Sequence, residues 1–416
     1  ALWRGAWEQR PPASSLWPLL GLAAVLAAPA PGADVPAVST RTGWSRVRWS
    51  TITTVALLLL LAPLGVTAVY SRLGPRAATV VHSLRSGQLS RADTILLERG
   101  YYEDLVRVDR FNSQLWEVYM NKPVDWLDVR GLGLDRFTGD IRRRELVPSF
   151  VAQTRFGPIR TNRWGMRDRE YERHPPPGTY RFALLGASTV MGWGVGDGET
   201  FEALVEDRLN RDRPGSSFAR YEVLNLAVPG YELPQQLATL DAALAYAPNA
   251  VMYAAIGREM HGSVEFLAGA ARDGTPIPYG FLRDVIRRAG IDASTDATTA
   301  RRRLEPYRAE LVAWMYGEMA RRCRERSVLP VLAFLPQTYR GVWEQEGEEV
   351  LRHAREAGFV TLDLRHLFQD HDPGSLRLAE WDAHPNARAH QIMAAGLYDA
   401  LAGRSDVIFA RQEARP

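Results

Sequence analysis

The chain has 416 residues, 46% of them hydrophobic and 24% charged, the make-up of an ordinary globular protein large enough for one domain with appendages or for two. Its formal net charge of +3 is spread along the chain, which argues against a nucleic-acid-binding surface. Cys323 is the only cysteine, so an internal disulfide framework and a cysteine-based metal site are excluded.

In chain order, residues 1–50 form an N-terminal tail that carries one apolar run, LWPLLGLAAVLAAPAPGA (16–33). That run reads as lying upstream of the true start, which is expected near Val38; a signal-like segment or the first leg of a hairpin are the alternatives. Residues 51–70, TITTVALLLLLAPLGVTAVY, are twenty residues without a charge, long enough to span a bilayer core as a helix. Arg41, Arg46 and Arg48 precede it, and Arg72 and Arg76 follow. The expectation is a single-pass anchor with its N-terminus in the cytoplasm and the bulk of the chain outside. Residues 71–175 read as an irregular, partly helical juxtamembrane region, and RHPPPGTY (173–180) as a linker.

The main domain is expected over 176–404, followed by a tail at 405–416. Short apolar runs predict strands at 181–186, 221–228, 249–257, 329–336 and 359–364. Helical spacing follows each of them: from Phe201 to Leu209, over 233–247, over 302–327, near 344–357, and from just after HPN to Leu401. Strands alternating with helices predict a three-layer α/β/α fold with a five-stranded parallel sheet. Active sites in such sheets lie beyond the carboxyl ends of the strands. Residues 262–300 read as an insertion over that edge, either a lid or a flexible loop.

Two strand ends carry chemistry. RFALLGASTVMGWGV places Ser188 just after the first strand, where a serine can cap a turn or, given a base, act as a nucleophile. Neither a G-x-S-x-G elbow nor a phosphate-binding loop is present here. At the other end, EWDAHPNARAH sets Asp382 two residues before His384, at the start of the last helix. A histidine there can take the serine proton, with the aspartate fixing its tautomer. Asn225 reads as a loop hydrogen-bonder, His390 as a packing or capping residue, Glu259 as a partner for Arg258 and Cys323 as a packing residue. Trp116, Trp126, Trp164 and Trp193 could stack on a sugar, although aromatic rings more often fill cores.

These residues resemble the SGNH, or GDSL-type, hydrolases. The first block of that family is similar to Gly186-Ala187-Ser188, with alanine at the middle position. Its second block matches Gly230 in NLAVPGY, and its last resembles Asp382 and His384. TNRWGMRDREYE (161–172) resembles the lead-in of membrane-associated members. The resemblance implies a serine esterase acting on an O-acyl, chiefly O-acetyl, ester of a small molecule or glycan, with Ser188 as nucleophile, His384 as base and Asp382 orienting it. Backbone amides of Ser188 and Gly230 would bind the oxyanion, helped by Arg258 or His261, and no metal or organic cofactor is implied. The third block departs from the family: Gly257-Arg258-Glu259 stands where an asparagine would supply an oxyanion donor, and an ionised carboxylate cannot donate. The family aspartate commonly falls at the position of Trp381, whereas the Asp-x-His spacing found here occurs in related bacterial envelope proteins of polysaccharide O-acetylation. An envelope polysaccharide O-acetyltransferase and a non-catalytic protein of the same fold are therefore the alternatives. The implied location is the bacterial cytoplasmic membrane.

Overall fold

The computed structural model describes residue 126 and residues 132–214, 218–338 and 343–410. The expected segments at 16–33 and 51–70 lie outside these residues, as does Trp116. Among the described residues, no helix is long and apolar enough to cross a membrane.

Five strands make one parallel sheet: β5 (Thr179–Leu185), β6 (Arg220–Asn225), β7 (Ala250–Ala255), β8 (Leu329–Phe334) and β9 (Val360–Asp363), in the spatial order β6-β5-β7-β8-β9. Every residue of β5, an interior strand of the sheet, is buried. Tyr180, Phe182 and Leu184 point into one core, and Ala183 and Leu185 into the other. A strand covered on both faces needs apolar residues at successive positions, which is why these segments lack a polar stripe.

One face is covered by α2 (Phe201–Asp212) and α9 (Ala387–Ala402), which pack on each other. The other face carries α3 (Leu233–Leu244), α4 (Glu259–Asp273), α7 (Arg308–Glu325) and α8 (Trp343–Ala357). The architecture is therefore the three-layer α/β/α sandwich expected from the strand–helix alternation. The short helix α1 (Ser188–Met191) follows β5 directly.

Two expectations need correction. Residues 262–300 are not a flexible loop. They continue α4 and form α5 (Gly280–Arg288) and the first half of α6 (Ala297–Leu304), with Leu282, Val285, Ala300 and, at the end of α6, Leu304 fully buried. The long helix expected from 302 is divided at Pro306, which ends α6 and starts a short turn before α7, because proline lacks the N–H that a continuing helix needs. The described part of the lead-in carries strands. It forms two antiparallel hairpins, β1 (Asp135–Phe137) with β2 (Arg144–Leu146) and β3 (Val151–Thr154) with β4 (Gly157–Arg160). Leu134, Leu146 and Ile159 anchor these hairpins in the α2–α9 core.

One buried ion pair crosses the sheet. The Arg181 guanidinium on β5 donates to Glu222 Oε2 on β6 through Nε at 2.8 Å and Nη2 at 2.6 Å. Its Nη1 donates to the carbonyls of Arg173 and Tyr246.

Candidate active site

Ser188 begins α1 at the carboxyl end of β5, and the residue that caps this turn is Ala187, which has an extended backbone and no capping side chain. The serine hydroxyl is thus not a cap. Its Oγ lies 2.7 Å from His384 Nε2, across 196 residues of sequence. His384 Nδ1 in turn lies 2.6 Å from Asp382 Oδ1, which also accepts the His384 backbone N–H at 3.1 Å. An ionised carboxylate only accepts, so Nδ1 carries the proton and Nε2 of a neutral ring is left to accept from the serine. Ser188 and His384 are half-buried and Asp382 is mostly buried. Burial pushes the Asp382 carboxyl up, but the His384 charge and the hydrogen bonds to it prevail and lower it to about 2.

Asp382 and His384 do not sit on a bare loop. They lie on β11 (Asp382–Pro385), paired antiparallel with β10 (Arg377–Ala379). Asn386 then caps α9 through Oδ1, accepting from Ala389 N, while its Nδ2 donates to the carbonyls of Ser375 and Arg377. The hairpin can approach the loop after Ser188 because residue 194 is glycine. Its φ is +93°, and a Cβ there would collide with the Leu378 side chain of β10.

The loop after Ser188 is held from behind by residues outside the triad. Arg167 is buried and donates to the carbonyls of Met191, Gly192 and Val195. Asn225, the last residue of β6, donates from Nδ2 to Val190 O at 2.9 Å and gives its backbone N–H to Asp168 Oδ2 at 2.8 Å. It is the hydrogen-bonder expected. His390 accepts the Phe201 N–H on Nδ1 at 3.0 Å and stacks on the Phe201 ring. Burial lowers its pKa to about 3, so it is a neutral cap of α2. Cys323 is buried among the helices, and burial raises its thiol to about 12.

Trp126 and Trp193 fill the core, as aromatic rings more often do, and they also reach the triad. Trp193 is 1% exposed and Trp126 9%, so neither offers a face to a sugar. Both donate an indole N–H to Asp382 Oδ2 at 3.3 Å. Trp164 donates to Tyr171 O and packs edge-on to Tyr246.

Arg258 is not placed as an oxyanion donor. Its buried guanidinium faces carboxylates, with Nη2 3.1 Å from Glu232 Oε1 and 3.7 Å from Glu265 Oε2, the arrangement of a structural ion pair. His261 lies in the same cluster, its Nε2 3.8 Å from Glu265 Oε1. Glu259, expected to pair with Arg258, instead accepts from the Tyr253 hydroxyl and the Ile256 N–H at 3.0 Å each. Gly230 stands in the turn after β6 with φ +75°, and the Tyr231 N–H closes that turn on Val228 O.

A serine, a histidine and an aspartate hydrogen-bonded in series at the carboxyl edge of a parallel sheet make a Ser–His–Asp triad on a three-layer α/β/α scaffold. No family model matches the chain, and no curated protein matches it. Among solved structures it is similar to LAE5, an alpha/beta hydrolase enzyme from the metagenome of Lake Arreo, Spain, with 16% identity over 54% of this chain and 95% of that one and a TM-score of 0.36. It is also similar to the psychrotrophic esterase EstA from Pseudoalteromonas sp., with 13% identity, 54% and 97% coverage and a TM-score of 0.34. A third is Axe2, an acetylxylan esterase from Geobacillus stearothermophilus, with 13% identity, 53% and 94% coverage and a TM-score of 0.36. Likeness this distant carries no chemistry of its own, which rests on the triad geometry.

Proposed function

We propose that the protein is a serine esterase that hydrolyses an O-acyl ester, O-acetyl by preference, through an acyl-enzyme on Ser188. The observation that carries this reading is the unbroken chain from Ser188 Oγ to His384 Nε2 at 2.7 Å and from His384 Nδ1 to Asp382 Oδ1 at 2.6 Å. His384 takes the hydroxyl proton as Oγ bonds to the ester carbonyl carbon, and the Asp382 carboxylate stabilises the imidazolium. With Arg258 engaged by Glu232 and Glu265, the donors assigned to the oxyanion are the backbone N–H groups of Ser188 and Gly230. The tetrahedral intermediate collapses by breaking the bond to the alcohol oxygen, which leaves with the proton from His384. Water, deprotonated by the same ring, then attacks the acyl carbon and frees Ser188.

Where the acceptor is a glycan hydroxyl instead of water, the same acyl-enzyme supports O-acetyl transfer. The Asp-x-His spacing and the absence of asparagine after Gly257 favour keeping that second reading. The test is release of acetate from a short acetyl ester by the full chain, with and without an added glycan. Hydrolysis that Ser188→Ala abolishes supports the esterase; acetyl-glycan formed in excess of free acetate supports the transferase. Turnover unchanged by Ser188→Ala rules out both, whereas no turnover by the wild type, with or without glycan, leaves a non-catalytic protein of the same fold. Residues 51–70 are proposed to anchor the chain in a bacterial cytoplasmic membrane with the domain outside, checked by protease accessibility in intact spheroplasts.

A further inference from the structure

Asp382 and His384, two residues apart on β11, share one face of that strand. Oδ1 of Asp382 meets both the His384 N–H and Nδ1. The terminal torsion of an aspartate is broad and roughly two-fold, so the acceptor oxygen is not fixed by the backbone alone. The second oxygen, Oδ2, is where the structure supplies the missing constraint. Two indole N–H groups meet on it, Trp126 and Trp193, each at 3.3 Å.

Both rings are themselves locked. Trp126 makes edge contacts with Phe156 at 5.5 Å and Trp381 at 5.3 Å, and the Arg155 guanidinium lies over its face at 4.8 Å. Phe156 bridges to Trp193 at 6.2 Å. Trp193 also reaches the nucleophile, because its backbone N–H donates to Ser188 O at 3.0 Å. One residue thus ties the nucleophile turn and the acid of the triad together. Trp126, ahead of both hairpins in the chain, meets the same acid.

We propose that Trp126 and Trp193 are positioning residues that clamp Asp382 Oδ2 and hold Oδ1 on His384 Nδ1, which makes both indoles part of the working site. This rests on the esterase reading above. The clamp explains how an Asp-x-His spacing is held in register: two neutral donors fix the carboxylate without adding a charge that would compete with the imidazolium.

The test is Trp126→Phe and Trp193→Phe in the full chain, which keep an aromatic ring and remove the indole N–H together with some buried ring volume. Steady-state hydrolysis of 4-nitrophenyl acetate and the low-field proton resonance of His384 Nδ1–H are measured on each. A hydrogen bond to a charged group, at the weak end because of its length, predicts that kcat falls about fivefold to tenfold per variant with KM within about twofold. The resonance is expected to move or broaden in both, while the melting temperature stays within a few degrees. Should Trp193→Phe fail to fold, Trp126→Phe decides alone. An unchanged resonance, or kcat and melting temperature falling only together, overturns the clamp. Loss of activity in Ser188→Ala alongside normal kcat in both tryptophan variants overturns the clamp alone; normal activity in Ser188→Ala overturns the esterase reading.

Discussion

Replacing Asp382 by asparagine should separate the chemistry of the site from its stability. The carboxylate accepts two hydrogen bonds from His384, at 2.6 and 3.1 Å, and two from indoles at 3.3 Å. With the indoles holding the new amide oxygen, its NH2 would face His384 Nδ1 and select the tautomer with the proton on Nε2. That nitrogen could then no longer take the Ser188 proton. A wrong tautomer of this kind costs about 10⁴ in kcat. The same carboxyl is depressed from its ordinary 3.8 to about 2, which at about 1.36 kcal/mol per pH unit contributes about 2 kcal/mol of stability. Because the folded value lies below the unfolded one, that contribution is complete above about pH 4 and is lost as pH falls through about 2. Urea unfolding of wild type and Asp382→Asn should therefore differ by about 2 kcal/mol at pH 7 and by roughly half of that near pH 3. Equal kcat in the two proteins, or a stability gap indifferent to acid, would refute the reasoning.

Three further outcomes follow from the geometry. Arg181 and Glu222 are both essentially inaccessible, so Glu222→Ala strands a buried guanidinium and should cost about 3–5 kcal/mol, read as a melting temperature lower by about 10 °C. Burial, with the Glu206 charge adding to it, raises the Glu202 carboxyl from 4.5 to about 8. The wild type then loses stability as pH climbs from about 4.5 to about 8, and Glu202→Gln should gain on it over that range; a gap constant with pH contradicts the assignment. Gly194→Val would combine a φ of +93° with a collision against Leu378, moving the β10–β11 hairpin away from Ser188. Activity should fall at least about tenfold, while far-ultraviolet circular dichroism stays unchanged.

The sheet was legible because each strand is buried on both faces and so writes itself as an uninterrupted apolar run between turn residues. RFALLG and VMYAAI read as strands for that reason, although β5 begins at Thr179 and β6 ends at Asn225, before the expected boundary. Ser188, His384 and Asp382 were legible because residue types that need one another fell at strand ends on the same edge. The hairpins β1–β4 were not: Arg144-Glu145-Leu146 and its neighbours are too short and too charged to show a two-residue period. The stretch ahead of the helix expected from 302 read as a lid or loop because DASTDATTA is polar, yet Ala300 and Leu304 of α6 are residues that dock. Arg258 read as an oxyanion donor since nothing in the chain order says that Glu232, two residues past Gly230, would reach its guanidinium. The indole clamp was hidden for a related reason, since a tryptophan's apolar bulk and its single N–H donor leave the same mark in a sequence. Arg167 had a partial signal, lying in the segment 161–172 that resembles a family lead-in.

The central claim is that Ser188 is a nucleophile activated by His384. A serine-reactive fluorophosphonate, reacted with the full chain and followed by mass spectrometry of the labelled peptides, tests it directly. Modification confined to the peptide bearing Ser188, and lost in His384→Ala, is the expected result. A label on another serine, or equal labelling of Ser188 in the His384→Ala protein, would contradict it.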